Sequence, residues 1–126
     1  MKLNFWKPTL SSSKIKATVH QNGNIGFSNG ATQKLQIDET KYLKIGINEE
    51  DPKDNNLYVL ITDENDENGL KVNKAGNYYY LNTKSFFNEH KVDYKKKKIV
   101  YDIAELNIDG QMIYKFVKRE IERKKK

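Results

Sequence analysis

The chain has 126 residues, a formal net charge of +6 and no cysteine. This length fits one domain, and the missing cysteine excludes disulfides, zinc–thiolate sites, iron–sulfur clusters and cysteine nucleophiles. The sequence shows no signal-peptide pattern near its start and no apolar run long enough to span a membrane, so we expect a cytoplasmic protein.

The first part of the chain predicts a flexible lead-in followed by a hairpin. Residues 1–13 contain a proline and a serine run, which are typical of irregular structure. From there to Val19, apolar and polar residues alternate as in a half-buried strand. Asn22 and Gly23 favour the positive φ angles of a tight turn, so residues 24–27 should return antiparallel.

A short helix and another strand should follow. Ser28 is a good helix cap, and Ala31 and Leu35 fall on one helical face. Gly30 weakens a helix, so we expect only one or two turns. Residues 42–47 then read as a strand with alternate side chains facing inward.

The middle of the chain predicts three more strands. Residues 57–62 carry apolar side chains on both faces, which indicates a central strand. Residues 70–72 are a shorter apolar segment. A turn at 75–77 then leads into residues 78–81, an aromatic strand.

The last third predicts a second helix and a hairpin. Thr83 is a suitable cap for a helix that carries two phenylalanines. Residues 99–103 alternate as a strand, and Asp109–Gly110 marks a turn into a final strand that ends near residue 117.

Together these elements predict an α+β domain, mainly antiparallel sheet, with two short helices and a basic C-terminal tail. Strands joined by short turns favour a meander. We expect one β-rich domain over residues 14–118, with a flexible segment at 1–13 and the basic tail at 119–126.

The charges are unevenly spread along the chain. Acidic residues concentrate at 49–54 and 63–67, whereas lysines form the run 95–98 and basic residues fill the C-terminus. A concentrated positive field favours polyanions such as nucleic acid or an acidic protein surface. Lysine runs also serve solubility, or protect a following strand from aggregation.

The tyrosine strand is the second feature that points to nucleic acid. Tyr78 and Tyr80 share one face of it, and Tyr79 shares the other with Leu81. Exposed aromatic rings on a basic sheet hold single-stranded nucleic acid by base stacking. Tyrosines at alternate positions are also common in half-buried strands, where they pair across the sheet.

Signals for catalysis are absent. His20 and His90 lie on separate predicted elements with no carboxylate at metal-ligand spacing, and no nucleophile elbow or phosphate-binding glycine loop occurs. We therefore expect a protein that is not an enzyme and that holds no metal or cofactor.

Residues 14–47 resemble the AbrB-type swapped-hairpin unit. The likeness rests on Thr18-Val19, on Asn22-Gly23-Asn24-Ile25, and on Ala31, Lys34-Leu35 and Ile37. The resemblance implies an intertwined homodimer that binds DNA. The chain departs from that pattern at Ser28, where the family usually has proline.

A weaker resemblance links residues 43–90 to single-stranded nucleic-acid binders of the Pur-alpha and Whirly type. It rests on element order alone, four strands followed by a helix. It too implies a nucleic-acid binder, with a different dimer and a different binding face.

The sequence thus predicts a non-catalytic nucleic-acid-binding protein, with regulation as one option for its role, DNA favoured over RNA and a homodimeric state. The alternative is a structural or adaptor protein, for instance of a phage or bacterial assembly, that docks an acidic partner. The residues expected at the binding surface are Lys16, Lys34, Tyr78, Tyr80, Lys95, Lys96, Lys97, Lys98, Lys118, Arg119 and Arg123.

Overall fold

The computed structural model describes residues 1–3, 15–65 and 67–122, with the backbone alone described for residue 122. These residues form nine strands and two short helices. The elements are β1 (Lys16–Val19), β2 (Ile25–Phe27), α1 (Asn29–Lys34), β3 (Tyr42–Gly46), β4 (Leu57–Thr62), β5 (Leu70–Lys71), β6 (Asn73–Ala75), β7 (Tyr78–Leu81), α2 (Lys84–Glu89), β8 (Lys97–Ile108) and β9 (Gln111–Glu122).

The strands form one antiparallel sheet in the order β5-β3-β4-β9-β8-β1-β2-β7-β6. This confirms the predicted antiparallel sheet with two short helices. The two edge strands, β5 and β6, are separated in the chain by Val72 alone. Since one short segment supplies both edges, the sheet curls into a nearly closed barrel.

The predicted meander is wrong in its strand order. The hairpins β1–β2, β3–β4, β6–β7 and β8–β9 do form between consecutive strands. They are joined, however, by the long-range pairs β1–β8, β2–β7 and β4–β9. The cause is that the segments containing α1 and α2 carry the chain between distant parts of the sheet.

The core is the inside of the barrel, and an aromatic column runs through it. Phe27 packs edge-on against Phe116 with ring centroids 6.4 Å apart, and Phe116 contacts Tyr101 at 6.2 Å. Tyr101 stacks in turn on Phe87 of α2 at 6.5 Å. Large aromatic side chains bury much apolar surface, so this column is a main source of stability.

The two helices cover opposite ends of the barrel. The helices α1 and α2 follow β2 and β7, which are antiparallel neighbours, so they begin at opposite ends of the sheet. From α1, Ala31 is fully buried, as is Leu35 just after it; from α2, Phe87 is fully buried. Both predicted helices are six residues long, which for α1 agrees with the one or two turns expected.

The predicted turns are present, and their positive φ angles explain why these residue types occupy them. Gly23 has a φ of 89° at the end of the β1–β2 turn. Asp109 and Gly110 have φ values of 52° and 82°, the pair of positive angles that a two-residue hairpin turn requires.

Ser28 caps α1 as the sequence predicts, but Thr83 does not cap α2. The Ser28 hydroxyl accepts the Ala31 N–H at 3.1 Å. Thr83 makes no such side-chain bond to the helix. Its fully buried hydroxyl instead donates to the Gly23 carbonyl at 2.8 Å. The reason is that the β1–β2 turn packs directly on the start of α2, where its carbonyl would otherwise lack a partner.

The predicted basic tail is not confirmed, because β9 continues through residue 122. The strand extends this far because β8 is equally long and pairs with it, placing Arg119 opposite Val100 and Ile121 opposite Lys98. Residues 123–126 and most of the predicted lead-in, residues 4–14, lie outside the described residues.

We expect Thr83→Val to lower the free energy of unfolding by about 1–3 kcal/mol, because the isosteric side chain leaves the buried Gly23 carbonyl without its donor. Urea denaturation measures the change. Thr83→Ser, which keeps the hydroxyl, serves as the control and should lose less. Equal stability of the valine variant and the wild type would contradict this role of the hydroxyl.

Candidate functional site

The strand register places five of the predicted binding residues on the outer surface of adjacent strands. Arg119 lies opposite Val100, Val100 opposite Thr18, and Thr18 opposite Gly26. This row continues to Tyr80 on β7. These side chains alternate along their strands with those of the barrel core, so they point away from it. We call this surface the outer face; its candidate residues are Lys16, Lys98, Arg119, Tyr78 and Tyr80.

Tyr78 lies flat across the outer face because residue 26 is glycine. A Cβ atom at Gly26 would stand 1.5 Å from the Tyr78 Oη and 2.2 Å from its Cζ. The ring therefore crosses β2, and its hydroxyl lies 2.6 Å from Nε2 of His20. Partial burial raises the pKa of the Tyr78 hydroxyl. The ring is fixed in place yet remains 37% exposed.

A shallow groove of about 550 Å³ runs beside this ring. Tyr78 and His20 line it, and so do the lysines Lys16 and Lys98. An aromatic surface and two cations therefore meet in one concave feature.

The basic residues differ in whether an acid neutralises them. Within the part of the chain that the structure describes, the side-chain ammonium groups of Lys16, Lys95, Lys96 and Lys98 form no ion pair with an acidic side chain. The others are paired: Arg119 with Asp102, Lys34 with Glu105, and both Lys97 and Lys118 with Glu120. Among the predicted site residues that the structure describes, the lysines without an ion pair are those near the groove or in the turn before β8.

The structure thus divides the predicted site residues into separate groups. Lys34 is the last residue of α1 and forms an ion pair with Glu105 of β8, far from the groove. Lys97 and Lys118 share the inward-facing side of β8 and β9 at the end of the barrel near α2. Arg123 lies outside the described residues. Only part of the predicted set can therefore contact one ligand together.

Sequence reasoning missed the residues that position the groove, namely Gly26 and His20. A glycine inside a strand is the available signal, because it often marks a place where another group approaches closely. The alternation of β8 also separates Lys98 from Lys97, since Ile99 must face the core.

A second concave feature lies at the end of the barrel that α2 covers. This cleft has a volume of about 370 Å³ and lies between α2 and the loop 47–56. Leu57, Phe86 and Val92 give it an apolar part, and Tyr101 lies within it. The sequence offers no signal for the cleft, because four separate segments build it.

The loop that borders the cleft is held by its own polar side chains. The Asp54 carboxylate accepts the Tyr58 hydroxyl at 2.5 Å and the Asn48 side-chain amide at 3.2 Å. Both of these bonds are to Oδ2, and Oδ1 of the same carboxylate accepts the Asn56 N–H at 3.0 Å. The hydrogen bond from Tyr58 is the main reason that the pKa of Asp54 is lowered.

Other classes of site are not seen in the described residues. Residues 1–3, 15–65 and 67–122 contain no cluster of three or more histidine, aspartate or glutamate side chains that could hold a metal ion. None of the helices in these ranges has the length and apolar character needed to cross a membrane.

Comparison with protein-family models, with curated proteins and with solved structures finds no match for this chain. The resemblances to the AbrB-type unit and to the Pur-alpha and Whirly type therefore stay predictions. The interpretation of the site rests on the residues themselves.

We expect Gly26→Ala to displace the Tyr78 ring, because the added methyl group occupies the position of its hydroxyl. The ring should move into solvent, so the pKa of Tyr78 should fall toward its ordinary value of 10.0. NMR titration of ring-labelled tyrosine measures the pKa of Tyr78.

Gly46→Ala is the matched control for that substitution. It adds a methyl group to another strand glycine, where the nearest atom would lie at an ordinary 3.7 Å. An unchanged Tyr78 titration in Gly26→Ala would show that the ring does not depend on the glycine.

We expect Tyr58→Phe to destabilise the protein at neutral pH and less so in acid. Because the folded-state pKa of Asp54 is depressed, its contribution is present above the ordinary value of 3.8 and is lost as the pH falls through the folded-state pKa. The stability difference between wild type and variant should therefore shrink on acidification. Denaturation curves recorded from neutral to acidic pH measure this stability difference.

Tyr42→Phe is the control, since no described residue is bonded to the Tyr42 hydroxyl. Its stability should follow that of the wild type across the same range. A Tyr58→Phe difference that is constant with pH would contradict the coupling to Asp54.

Proposed function

We propose that this chain is a non-catalytic protein that binds single-stranded nucleic acid on its outer face. The observation that carries the proposal is the groove in which the Tyr78 ring lies beside the unpaired cations Lys16 and Lys98. Phosphates need cations that no acid already neutralises, and bases need an exposed ring on which to stack. The groove offers both within one site.

The geometry favours a single strand over a duplex as the ligand. The groove lies on a sheet surface, and the partly exposed Tyr78 ring lines it. Bases in a duplex are stacked on one another, so only unpaired bases can use such a ring. Lys95 and Lys96 in the adjacent turn would extend the phosphate track from Lys98, and Tyr80 would offer a further ring.

Some residues of the predicted site have other roles in this proposal. Arg119 is held in place by Asp102, with Nη2 3.0 Å from Oδ1, and adds less net charge to the face. Lys34, Lys97 and Lys118 do not belong to the groove. The resemblance of residues 14–47 makes DNA the first ligand to test and a homodimer the first assembly to look for.

The salt dependence of binding tests the phosphate contacts. We expect oligo-dT to bind with a log-affinity that falls linearly with log salt. The double variant Lys16→Ser with Lys98→Ser should lower the slope by about 1.4, since each single-strand phosphate contact contributes roughly 0.7. Fluorescence anisotropy at several salt concentrations measures the slope.

A double variant of equal charge provides the control. Lys34→Ser with Lys53→Ser removes two exposed lysines that do not line the groove. It should leave the slope close to that of the wild type. Equal effects of the two double variants would mean that net charge alone attracts the oligonucleotide.

Tyr78 tests the stacking contact separately. Tyr78→Ala should weaken oligo-dT binding by about 5- to 150-fold, the range that corresponds to 1–3 kcal/mol for one stacked base. Tyr78→Phe keeps the ring and should bind nearly as well as the wild type. If the lysine variants lose binding and Tyr78→Ala does not, the face binds a polyanion such as an acidic protein, the adaptor alternative.

A further inference from the structure

The cleft near α2 contains a buried polar group that has no hydrogen-bond partner in the part of the chain that the structure describes. Tyr101 is 1% exposed, and its ring is fixed by Phe87 and Phe116 on either side. No hydrogen bond joins its hydroxyl to any residue that the structure describes. Buried hydroxyls almost always have a partner, because leaving one unsatisfied costs about 1–3 kcal/mol. Tyr101 is therefore a donor without an acceptor among the described residues.

This hydroxyl is fit to donate. Burial raises the pKa of Tyr101, as does the charge of the nearby Glu120, so the proton stays on the oxygen at neutral pH. A hydrogen bond from this hydroxyl to an acceptor in the cleft would be stronger than the same bond in bulk water, because the protein interior has a lower dielectric constant.

Two lysines beside the hydroxyl share one carboxylate. The Nζ atoms of Lys97 and Lys118 each lie 3.1 Å from an oxygen of Glu120. Lys118 is the more enclosed of the two, with 12% of its side chain exposed. Two cations against one anion leave a net positive charge, and each ammonium keeps donors for a second acceptor.

The rest of the cleft is suited to an apolar group. Leu57 is buried, and Phe86 and Val92 are half-buried, so the side chains that face the cleft include a compact apolar surface. A volume of about 370 Å³ is within the range of small-molecule pockets.

Carboxylates at the rim limit the charge of the occupant. Asp51, Asp54 and Asp93 also line the cleft; within the described residues none of the three forms a salt bridge with a lysine or arginine side chain, although the charge of Lys115 helps to lower the pKa of Asp54. Their field opposes a second negative charge on the ligand. A dianion such as a phosphate ester is therefore disfavoured relative to a single carboxylate.

We propose that this cleft is a binding site for a small hydrophobic monocarboxylate. The carboxylate accepts hydrogen bonds from the Tyr101 hydroxyl and the Lys118 ammonium, and the apolar body of the ligand packs against Leu57, Phe86 and Val92. The site shares no residue with the groove on the outer face, so this proposal can be tested independently of nucleic-acid binding.

The test is an NMR titration of the full chain with 3-phenylpropionate, compared with 3-phenyl-1-propanol and phenylsuccinate. We expect saturable shifts at the cleft residues with the monocarboxylate, and at least tenfold weaker binding of both the alcohol and the dianion. Absence of saturable binding, or equal binding of the alcohol or the dianion, would overturn the proposal.

Tyr101→Phe removes the hydroxyl alone. It should weaken 3-phenylpropionate binding roughly tenfold to hundredfold, as expected for a hydrogen bond to a charged group. The ligand-free variant should be no less stable than the wild type, because none of the residues that the structure describes is bonded to this hydroxyl. Unchanged affinity would refute the role of Tyr101.

Lys118→Met gives a second measurement that does not depend on the tyrosine variant. It keeps an unbranched side chain and should abolish the preference for the acid over the alcohol. Lys53→Met, in the same loop region but outside the cleft lining, is the control and should keep that preference. A preference retained in Lys118→Met would show that the ammonium does not bind the carboxylate.

Discussion

The constraint on which the structure depends is the closure of the sheet at Val72. The residues on either side of it pair with opposite edges: Leu70 and Lys71 with β3, and Asn73 to Ala75 with β7. Val72 is 1% exposed, and its N–H donates to the Lys41 carbonyl at 3.1 Å. Because one short segment serves both edges, neither edge is left as a long unpaired strand. Closure also gives the sheet an inside, which the aromatic column fills.

Closure fixes which side chains face outward, and the candidate sites follow from it. Along the closing segment, Leu70 and Val72 face inward and Lys71 and Asn73 outward, so the alternation continues from one edge strand to the other. A slip of one residue at this point would exchange the two faces. The groove on the outer face and the cleft at the barrel end are therefore products of the same register.

Local structure could be predicted from the sequence, because local residue preferences decide it. Alternating apolar residues and the pairs Asn22-Gly23 and Asp109-Gly110 predicted the hairpins, and Ser28 predicted the start of α1. The strand order could not be predicted, since pairing of β1 with β8 depends on how the whole chain closes. Thr83 likewise shows that contacts from distant segments cannot be read from local residue preferences. It has the residue type of a cap, but a turn that packs on it from elsewhere takes its hydroxyl.

The sequence predicted which residue types contribute to the candidate site, but it did not predict how they are arranged in space. The lysine run 95–98 was recognised as basic, yet strand alternation divides it between two surfaces. Lys98 lies at the outer groove without an acidic partner among the described residues, whereas Lys97 is neutralised by Glu120 near the cleft. Charge clustering along a sequence therefore overstates the cations that one ligand can use. On this sheet the useful quantity is the number of cations on each face that no acidic side chain pairs with, and at the groove these are Lys16 and Lys98, beside the Tyr78 ring.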